Sequence, residues 1–262
     1  MDLGLKGKHV FVAGASRGIG LAIAESFLQE GAVVSLTARG EASLAEAQQA
    51  LSERFGPDRC FSMAGDMTRT EVIAQALDAA EAALGPIYCV VGNVGIDKTP
   101  HGWDIDDETF DIGFAQNCLA SYRLAREAVR RALQRPKAER EGFNVLFISS
   151  SAGVEALKTP LTYGSSKATL NHLTRELARH LGGEGIRVNA VCPAMTVFPG
   201  GGWAERLAGP DRDHWIAYNQ RETALQRFGT PEEAANVAVF LASPRASIVT
   251  SSVVIADAGQ LK

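Results

Sequence analysis

The chain has 262 residues, enough for a sizeable α/β core, and its 46% hydrophobic and 21% charged residues are those of a soluble globular protein. A net charge of −4 with no basic block excludes a phosphate-backbone footprint, so no nucleic-acid partner is expected. No apolar run approaches the ~18 residues of a membrane span, and the start Met1-Asp2-Leu3-Gly4 does not read as a signal peptide, so a cytoplasmic protein without a membrane partner is expected.

His9–Ala13 is an apolar, β-favouring run that predicts a first strand. It is followed by Gly14-Ala15-Ser16-Arg17-Gly18-Ile19-Gly20 and a helix to about Glu30, which Gly31 ends. Residues 33–38 predict a second strand, 41 to about 55 an Ala/Glu/Gln-rich helix, and 60–64 a third strand. Thr68 with Glu71 three residues on reads as a capping box opening a helix to about Leu84. A fourth strand over 88–91 precedes a helical stretch from 107 to about 134, and the charge-rich stretch 136–142 reads as a solvated loop. A fifth strand over 144–149, a long helix from 163 to about 181 and a sixth strand over 187–191 follow. Thr230-Pro231-Glu232-Glu233 supplies an N-cap, an N1 proline and an N3 glutamate for a helix to about Leu241, and 253–256 is the last strand.

This strict alternation predicts an α/β, Rossmann-type doubly wound parallel sheet of about seven strands, helices on both faces, in one domain over 1–262. Residues 194–229, with Phe198-Pro199-Gly200-Gly201-Gly202-Trp203, break the alternation. A long excursion after a strand's carboxyl end lies where such sheets bind ligands, so a substrate lid is its functional reading and a surface loop its plain one. The four cysteines (Cys60, Cys89, Cys118, Cys192) have no CxxC pair and predict free thiols rather than disulfides or zinc; no metal-ligand cluster is evident.

Gly14-x-x-x-Gly18-x-Gly20 leaves the first strand and opens the first helix, where glycines allow a tight turn and the helix amino terminus faces an anion. At the end of the second strand, a carboxylate would bind a ribose 2′-hydroxyl and repel a 2′-phosphate. Ala38-Arg39 stands there instead, with no acid until Glu41. Arg39 can pair with a 2′-phosphate and Arg17 can converge on it, which favours NADP(H) over NAD(H) and leaves NAD(H) possible. Tyr163 and Lys167, four apart, share one helix face; an ammonium near a phenol lowers its pKa from about 10 and makes an acid or base of it.

In these motifs the chain resembles the short-chain dehydrogenase/reductase family over essentially its whole length, and 3-oxoacyl thioester reduction is one common role of proteins similar to it. Gly14, Gly18, Ile19 and Gly20 match the glycine loop, although its leading threonine is Ala13; Asp66 matches the acid that contacts the adenine. Gly92-Asn93-Val94-Gly95 is similar to the Asn-Asn-Ala-Gly turn, Asn117 to the asparagine ordering a relay water, and Tyr163/Lys167 to the Tyr-x-x-x-Lys signature. Val188–Pro193 matches a nicotinamide-contacting segment, though the next glycine is Ala194, and Asp257-Ala258-Gly259 resembles the terminal Asp-Gly-Gly. The family's serine lies thirteen residues before the tyrosine, which picks Ser150 from the run Ser149-Ser150-Ser151; regular strand alternation would also put Ser150 on the opposite side from its two neighbours.

The resemblance implies reversible hydride transfer between a nicotinamide and a carbonyl or secondary alcohol, with Asn117, Ser150, Tyr163 and Lys167 as the catalytic set. It implies dinucleotide contacts from Gly14, Ser16, Arg17, Gly18, Ile19, Gly20, Arg39, Asp66, Met67, Asn93, Gly95, Tyr163, Lys167, Pro193 and Thr196. It also implies a homotetramer in which the helices over 107–134 and 163–181 pair. Trp103, Phe198, Trp203 and Trp215 are candidate pocket walls, and His101 and His214 lie near the expected site loops, whereas His9, His172 and His180 read as structural or exposed. An NAD-dependent alcohol dehydrogenase is the alternative reaction. A sugar-nucleotide epimerase is disfavoured by the glycine spacing, and a non-catalytic regulator by retention of all four catalytic residues.

Overall fold

A computed structural model describes residues 2–96 and 98–261; Met1, part of the start read above as no signal peptide, lies outside the described residues. Seven strands, β1 (His9–Ala13), β2 (Val33–Ala38), β3 (Cys60–Ala64), β4 (Ile87–Gly92), β5 (Asn144–Ile148), β6 (Arg187–Pro193) and β7 (Val253–Ala256), form one sheet in the order β3-β2-β1-β4-β5-β6-β7. Every adjacent pair is parallel.

Strand alternation divides the core in two. Val10, Val12, Val34 and Leu36 point to one face, where α1 (Gly18–Gln29), α2 (Glu41–Phe55) and α10 (Pro231–Ala242) bury Phe27, Leu28, Leu44 and Ala238. Phe11, Ala13, Val145 and Phe147 point to the other, against Ile73 and Leu77 of α3 (Thr70–Leu84), Leu124 and Ala128 of α5 (Ala120–Leu133) and Leu170 of α7 (Leu161–Leu181). Phe27, fully buried, alone contributes about 1.5–3 kcal/mol of transfer free energy.

The structure corrects several local readings. The Thr68/Glu71 capping box does not form: the Thr68 hydroxyl donates to Asp66 Oδ1, Arg69 stands at the N-cap without a side-chain bond, and Glu71 accepts from Arg69. The stretch 107–134 is helical as expected, though not uniformly α: α4 (Asp107–Phe114) passes through a π-turn (Ala115–Leu119) into α5. The stretch 136–142 contains the short helix α6 (Lys137–Arg140). The helix carrying Tyr163 begins two residues earlier than expected, at Leu161, which puts Tyr163 in its first turn. The predicted capping box of α10 is present, the Thr230 hydroxyl accepting from Glu233 N and the Glu233 carboxylate from Thr230 N.

Residues 194–229 are not a plain surface loop. They hold α8 (Gly202–Ala208) and α9 (Arg212–Glu222) and lie beside the carboxyl ends of the strands. The four cysteines are buried free thiols.

Candidate active site

Strand order reverses between β1 and β4, and a cleft of about 610 Å³ opens at their carboxyl ends. The chain leaves β1 through Gly14 (φ 73°) and Gly18 (φ 57°), conformations that a side chain strains. At Gly20 a Cβ would lie 2.2 Å from Gly14 O and 2.5 Å from Asn93 Nδ2. The Asn93 amide donates to Gly14 O at 2.9 Å and so ties the end of β4 to this loop. The first turn of α1 carries no acid and its N-cap makes no side-chain bond, which leaves amino-terminal amides available to a phosphate.

At the other end of the cleft, Asp66 accepts from Thr68 N and the Thr68 hydroxyl. Burial pushes its carboxyl up, but those bonds and the charges of Arg39 and Arg69 outweigh it and hold the group below its ordinary range. Arg39 is exposed and lines the cleft. Arg17 does not converge with it in this structure: its Nη1 donates to Gly200 O at 3.0 Å.

The middle of the cleft is built on α7. The Lys167 side chain is 4% exposed, and its Nζ donates to Ile148 O at 2.8 Å and lies 5.8 Å from the Tyr163 ring centroid. Burial pushes the ammonium down to about 8, against an opposing pull from Cys192 and Cys118. Asn117, fully buried in the π-turn, spends both amide protons on Ile96 O and Gly113 O, while its Oδ1 accepts from Ile96 N and keeps a second lone pair. Gly95 sits between the two, since its Cβ would be 2.9 Å from Asn117 Oδ1 and 3.5 Å from Lys167 Nζ.

β5 ends at Ile148, so the serine run does not continue as regular strand. The Ser149 hydroxyl donates to Lys167 O, that of Ser150 accepts from Ala152 N, and that of Ser151 donates to Gln260 Oε1. A 3-10 turn over Ser151–Gly153 abuts α7 because residue 153 is glycine: a Cβ there would lie 2.6 Å from the Lys167 carbonyl carbon.

The excursion after β6 folds back on the phosphate loop. A Cβ at Gly18 would meet the Phe198 ring at 2.7 Å, and Lys98 Nζ pairs with Glu205 Oε1 of α8 at 2.6 Å. The pair with Lys98, helped by the charge of Arg17, holds the Glu205 carboxyl below its usual range. Behind it, Trp203 packs against Trp215, Tyr218 and Phe228, and Arg206 lies over both tryptophans. Phe198 and Trp203 line the cleft; Trp215 is not among its lining residues, and Trp103 is 86% exposed. His101 and His214 are exposed and do not line it, and His9 is buried between Gly85 O and the Ser35 hydroxyl.

Known proteins share this fold. A family profile described as enoyl-(acyl carrier protein) reductase matches residues 14–260. The chain belongs to the short-chain dehydrogenase/reductase family. It is 31% identical to 2-(S)-hydroxypropyl-CoM dehydrogenase 3 of Xanthobacter autotrophicus, over 97% of each chain. It is 30% identical to the 3-oxoacyl-[acyl-carrier-protein] reductase of Mycobacterium tuberculosis, over 96% of this chain and 92% of that one. The crystal structure of L-sorbose reductase from Gluconobacter frateurii with NADPH and L-sorbose superposes with a TM-score of 0.90 at 31% identity, covering 100% and 99% of the two chains. The protein is therefore an NAD(P)-dependent short-chain dehydrogenase/reductase.

Of the residues this family membership singles out, Gly14, Ser16, Arg17, Ile19, Arg39, Asp66, Met67, Asn93, Gly95, Tyr163, Lys167 and Thr196 line the cleft. Gly18, Gly20, Asn117, Ser150 and Pro193 do not; Ser149 is the serine of the run that does. Gly18 and Gly20 shape the turn behind the cleft, and Asn117 holds the Ile96 loop through hydrogen bonds to its backbone. Sequence reasoning missed Lys98 and Gln116, which line the cleft with no motif to mark them. Among the described residues no His/Cys/Asp/Glu cluster could hold a metal ion, and no helix is long and apolar enough to cross a membrane.

The Lys167 shift has a readable sign. Folded near 8 and unfolded near 10.5, it leaves the unfolded chain with more protons between those values, so its contribution to stability rises with pH across that window. The melting-temperature advantage of Lys167→Met over wild type should therefore shrink from about pH 7 to about pH 10. A flat difference between the two melting curves contradicts a buried charge at this site.

Proposed function

We propose that this short-chain dehydrogenase/reductase prefers NADP(H) and reduces, reversibly, a small ketone or a 3-oxoacyl thioester. The observation that carries the reading is Tyr163 in the first turn of α7, one turn from a buried lysine and at the wall of a dinucleotide-sized cleft. The bound dinucleotide supplies the hydride. Tyr163 donates the proton to the carbonyl oxygen in reduction and removes it in oxidation. Lys167, held by Ile148 O, favours the phenolate and binds the nicotinamide ribose, while Ser150, thirteen residues before Tyr163 and next to the cleft-lining Ser149, hydrogen-bonds the substrate oxygen once its turn presents the hydroxyl to the cleft. Asn117 frames the water path that resupplies the proton, its Oδ1 retaining a lone pair for a water.

Gly14, Ser16, Ile19, Asn93 and Gly95 hold the phosphates and nicotinamide end, with Pro193 and Thr196 beside them, and Asp66 and Met67 the adenine. Ile96, Phe198 and Trp203 give the substrate end apolar walls, and Lys98 and Gln116 add two polar ones. The whole chain acts as one domain, cytoplasmic, and as a homotetramer through α4/α5 and α7; a monomer in light scattering contradicts that assembly.

The reading is tested by following NADPH oxidation with 3-oxoacyl thioesters, ethyl acetoacetate, cyclic ketones and diketones, beside NADP⁺ and NAD⁺ reduction with secondary alcohols. Failure to turn over any of them with either cofactor overturns it. Arg39→Asp removes the cation that faces a 2′-phosphate and adds a carboxylate that repels it. It should reverse the preference, lowering kcat/KM for NADPH at least about tenfold relative to NADH, a difference of about 1.4 kcal/mol. An unchanged ratio in the variant, or comparable or better efficiency of the wild type with NAD(H), overturns the NADP(H) preference.

A further inference from the structure

The last residues of the chain reach the serine turn. Ser151, 3% exposed, donates its hydroxyl to Gln260 Oε1 at 3.1 Å across 109 positions of sequence. Gln260 is held in a tight turn: the two oxygens of the buried Asp257 carboxylate accept from Gly259 N and Leu261 N, each at 2.8 Å, and Ala258 (φ 57°) and Gly259 (φ 75°) are left-handed. The same turn grips the segment that ends the excursion over the cleft, with Leu225 N donating to Ala258 O and Ala224 N to Gly259 O. A Cβ on Gly259 would lie 2.6 Å from Ala224 Cβ, so the contact is close.

On the other side of Ser151 stands Ser150. Its hydroxyl accepts from Ala152 N at 3.2 Å and its carbonyl from Gly153 N at 2.9 Å, so the orientation of the hydroxyl follows that of the turn. With one lone pair occupied by Ala152 N, the hydroxyl retains its proton for another acceptor. The turn is fixed on its far flank by Asn171, which donates to Gly153 O. Ser151 and Gln260 form the near anchor.

We propose that Gln260 is a positioning residue, holding the Ser151–Gly153 turn and, through it, the Ser150 hydroxyl in the orientation that meets the substrate oxygen. The inference rests on the role given to Ser150 above. Gln260 touches neither substrate nor cofactor in this scheme.

Gln260→Leu keeps the side chain's bulk and removes the acceptor, Gln260→Glu keeps an oxygen for Ser151, and Ser151→Ala removes the donor. With NADPH and ethyl acetoacetate as probe, Gln260→Leu and Ser151→Ala should each lower kcat about 3- to 10-fold, the range of one hydrogen bond. NADPH affinity should stay within about twofold, since nothing at the phosphate loop changes. Gln260→Glu should restore most of the loss, and the Gln260→Leu/Ser151→Ala double variant should be no slower than either single one. Amide hydrogen exchange over 150–154 should quicken in Gln260→Leu whatever carbonyl is used. Wild-type kcat and exchange in Gln260→Leu, or losses that multiply in the double variant, overturn the inference. Ser150→Ala separates the two readings. If it turns over normally, the role of Ser150 fails; if it is inactive while Gln260→Leu is unimpaired, only the positioning role fails.

Discussion

Tyr163→Phe is expected to abolish turnover, by at least about 10²- to 10⁴-fold, while NADPH binds much as before. The substitution keeps the ring that Lys167 Nζ approaches at 5.8 Å and removes only the hydroxyl. The glycine loop is held by its own contacts, the Asn93 amide on Gly14 O among them, and the first turn of α1 stays open, so cofactor titration by fluorescence should be close to wild type. The loss falls on the proton transfer alone: kcat should collapse, and raising substrate or cofactor should not recover it. A variant with near-normal kcat defeats the mechanism, because none of the five histidines offers a replacement. His9, His172 and His180 are away from the cleft, and His101 and His214 do not line it.

Gly20→Ala is expected to destroy the dinucleotide site itself. Its methyl group would sit 2.2 Å from Gly14 O, a distance that Cβ atoms do not tolerate, and the neighbour is backbone. Gly14 cannot easily yield, since its N–H donates to Thr37 O at 2.8 Å and its carbonyl receives Asn93. α1 cannot yield either: it is packed on α10 with Ile23, Phe27 and Leu28 fully buried. Overpacking of this kind costs about 1–3 kcal/mol, which as weakened binding is about 5- to 150-fold in NADPH Kd, alongside a lower melting temperature. Gly183→Ala, where nothing lies within 4 Å of the added carbon, is the matched control and should be silent. Unchanged NADPH affinity in Gly20→Ala contradicts the loop geometry.

The frame was legible because its signals are local. β1, β2, β3 and β7 fall at their expected bounds, where apolar runs stop against turns or glycines. The capping box of α10 forms even though Glu233 also pairs with Arg227, because its carboxylate reaches Thr230 N while the Thr230 hydroxyl stays free to accept from Glu233 N. The matching signal at Thr68 fails because Asp66, two residues earlier, takes the threonine hydroxyl, and motif spacing does not weigh that competitor. The π-turn at Ala115–Leu119 inserts one residue into a helix whose composition is unbroken, so periodicity reads straight through it.

The site itself was legible only in part. Tyr163, Lys167 and the glycines carry their chemistry in spacing. Arg17 illustrates what spacing omits: a residue read as a phosphate ligand also donates to Gly200 O of the excursion, 183 positions away. The three serines look alike in sequence, yet they go to α7, to their own turn and to the C-terminal residues.

The aromatic packing of the excursion has an optical consequence. Two of the chain's three tryptophans, Trp203 and Trp215, stand 5.8 Å apart in the excursion, and Trp203 also borders the cleft. The third, Trp103, is almost wholly in solvent and contributes a red-shifted background. Ultraviolet emission from this protein is thus, without any label, a report on the lid: energy passing from Trp203 to a bound reduced nicotinamide registers occupancy, and the Trp203–Trp215 pair registers whether α8 and α9 remain together.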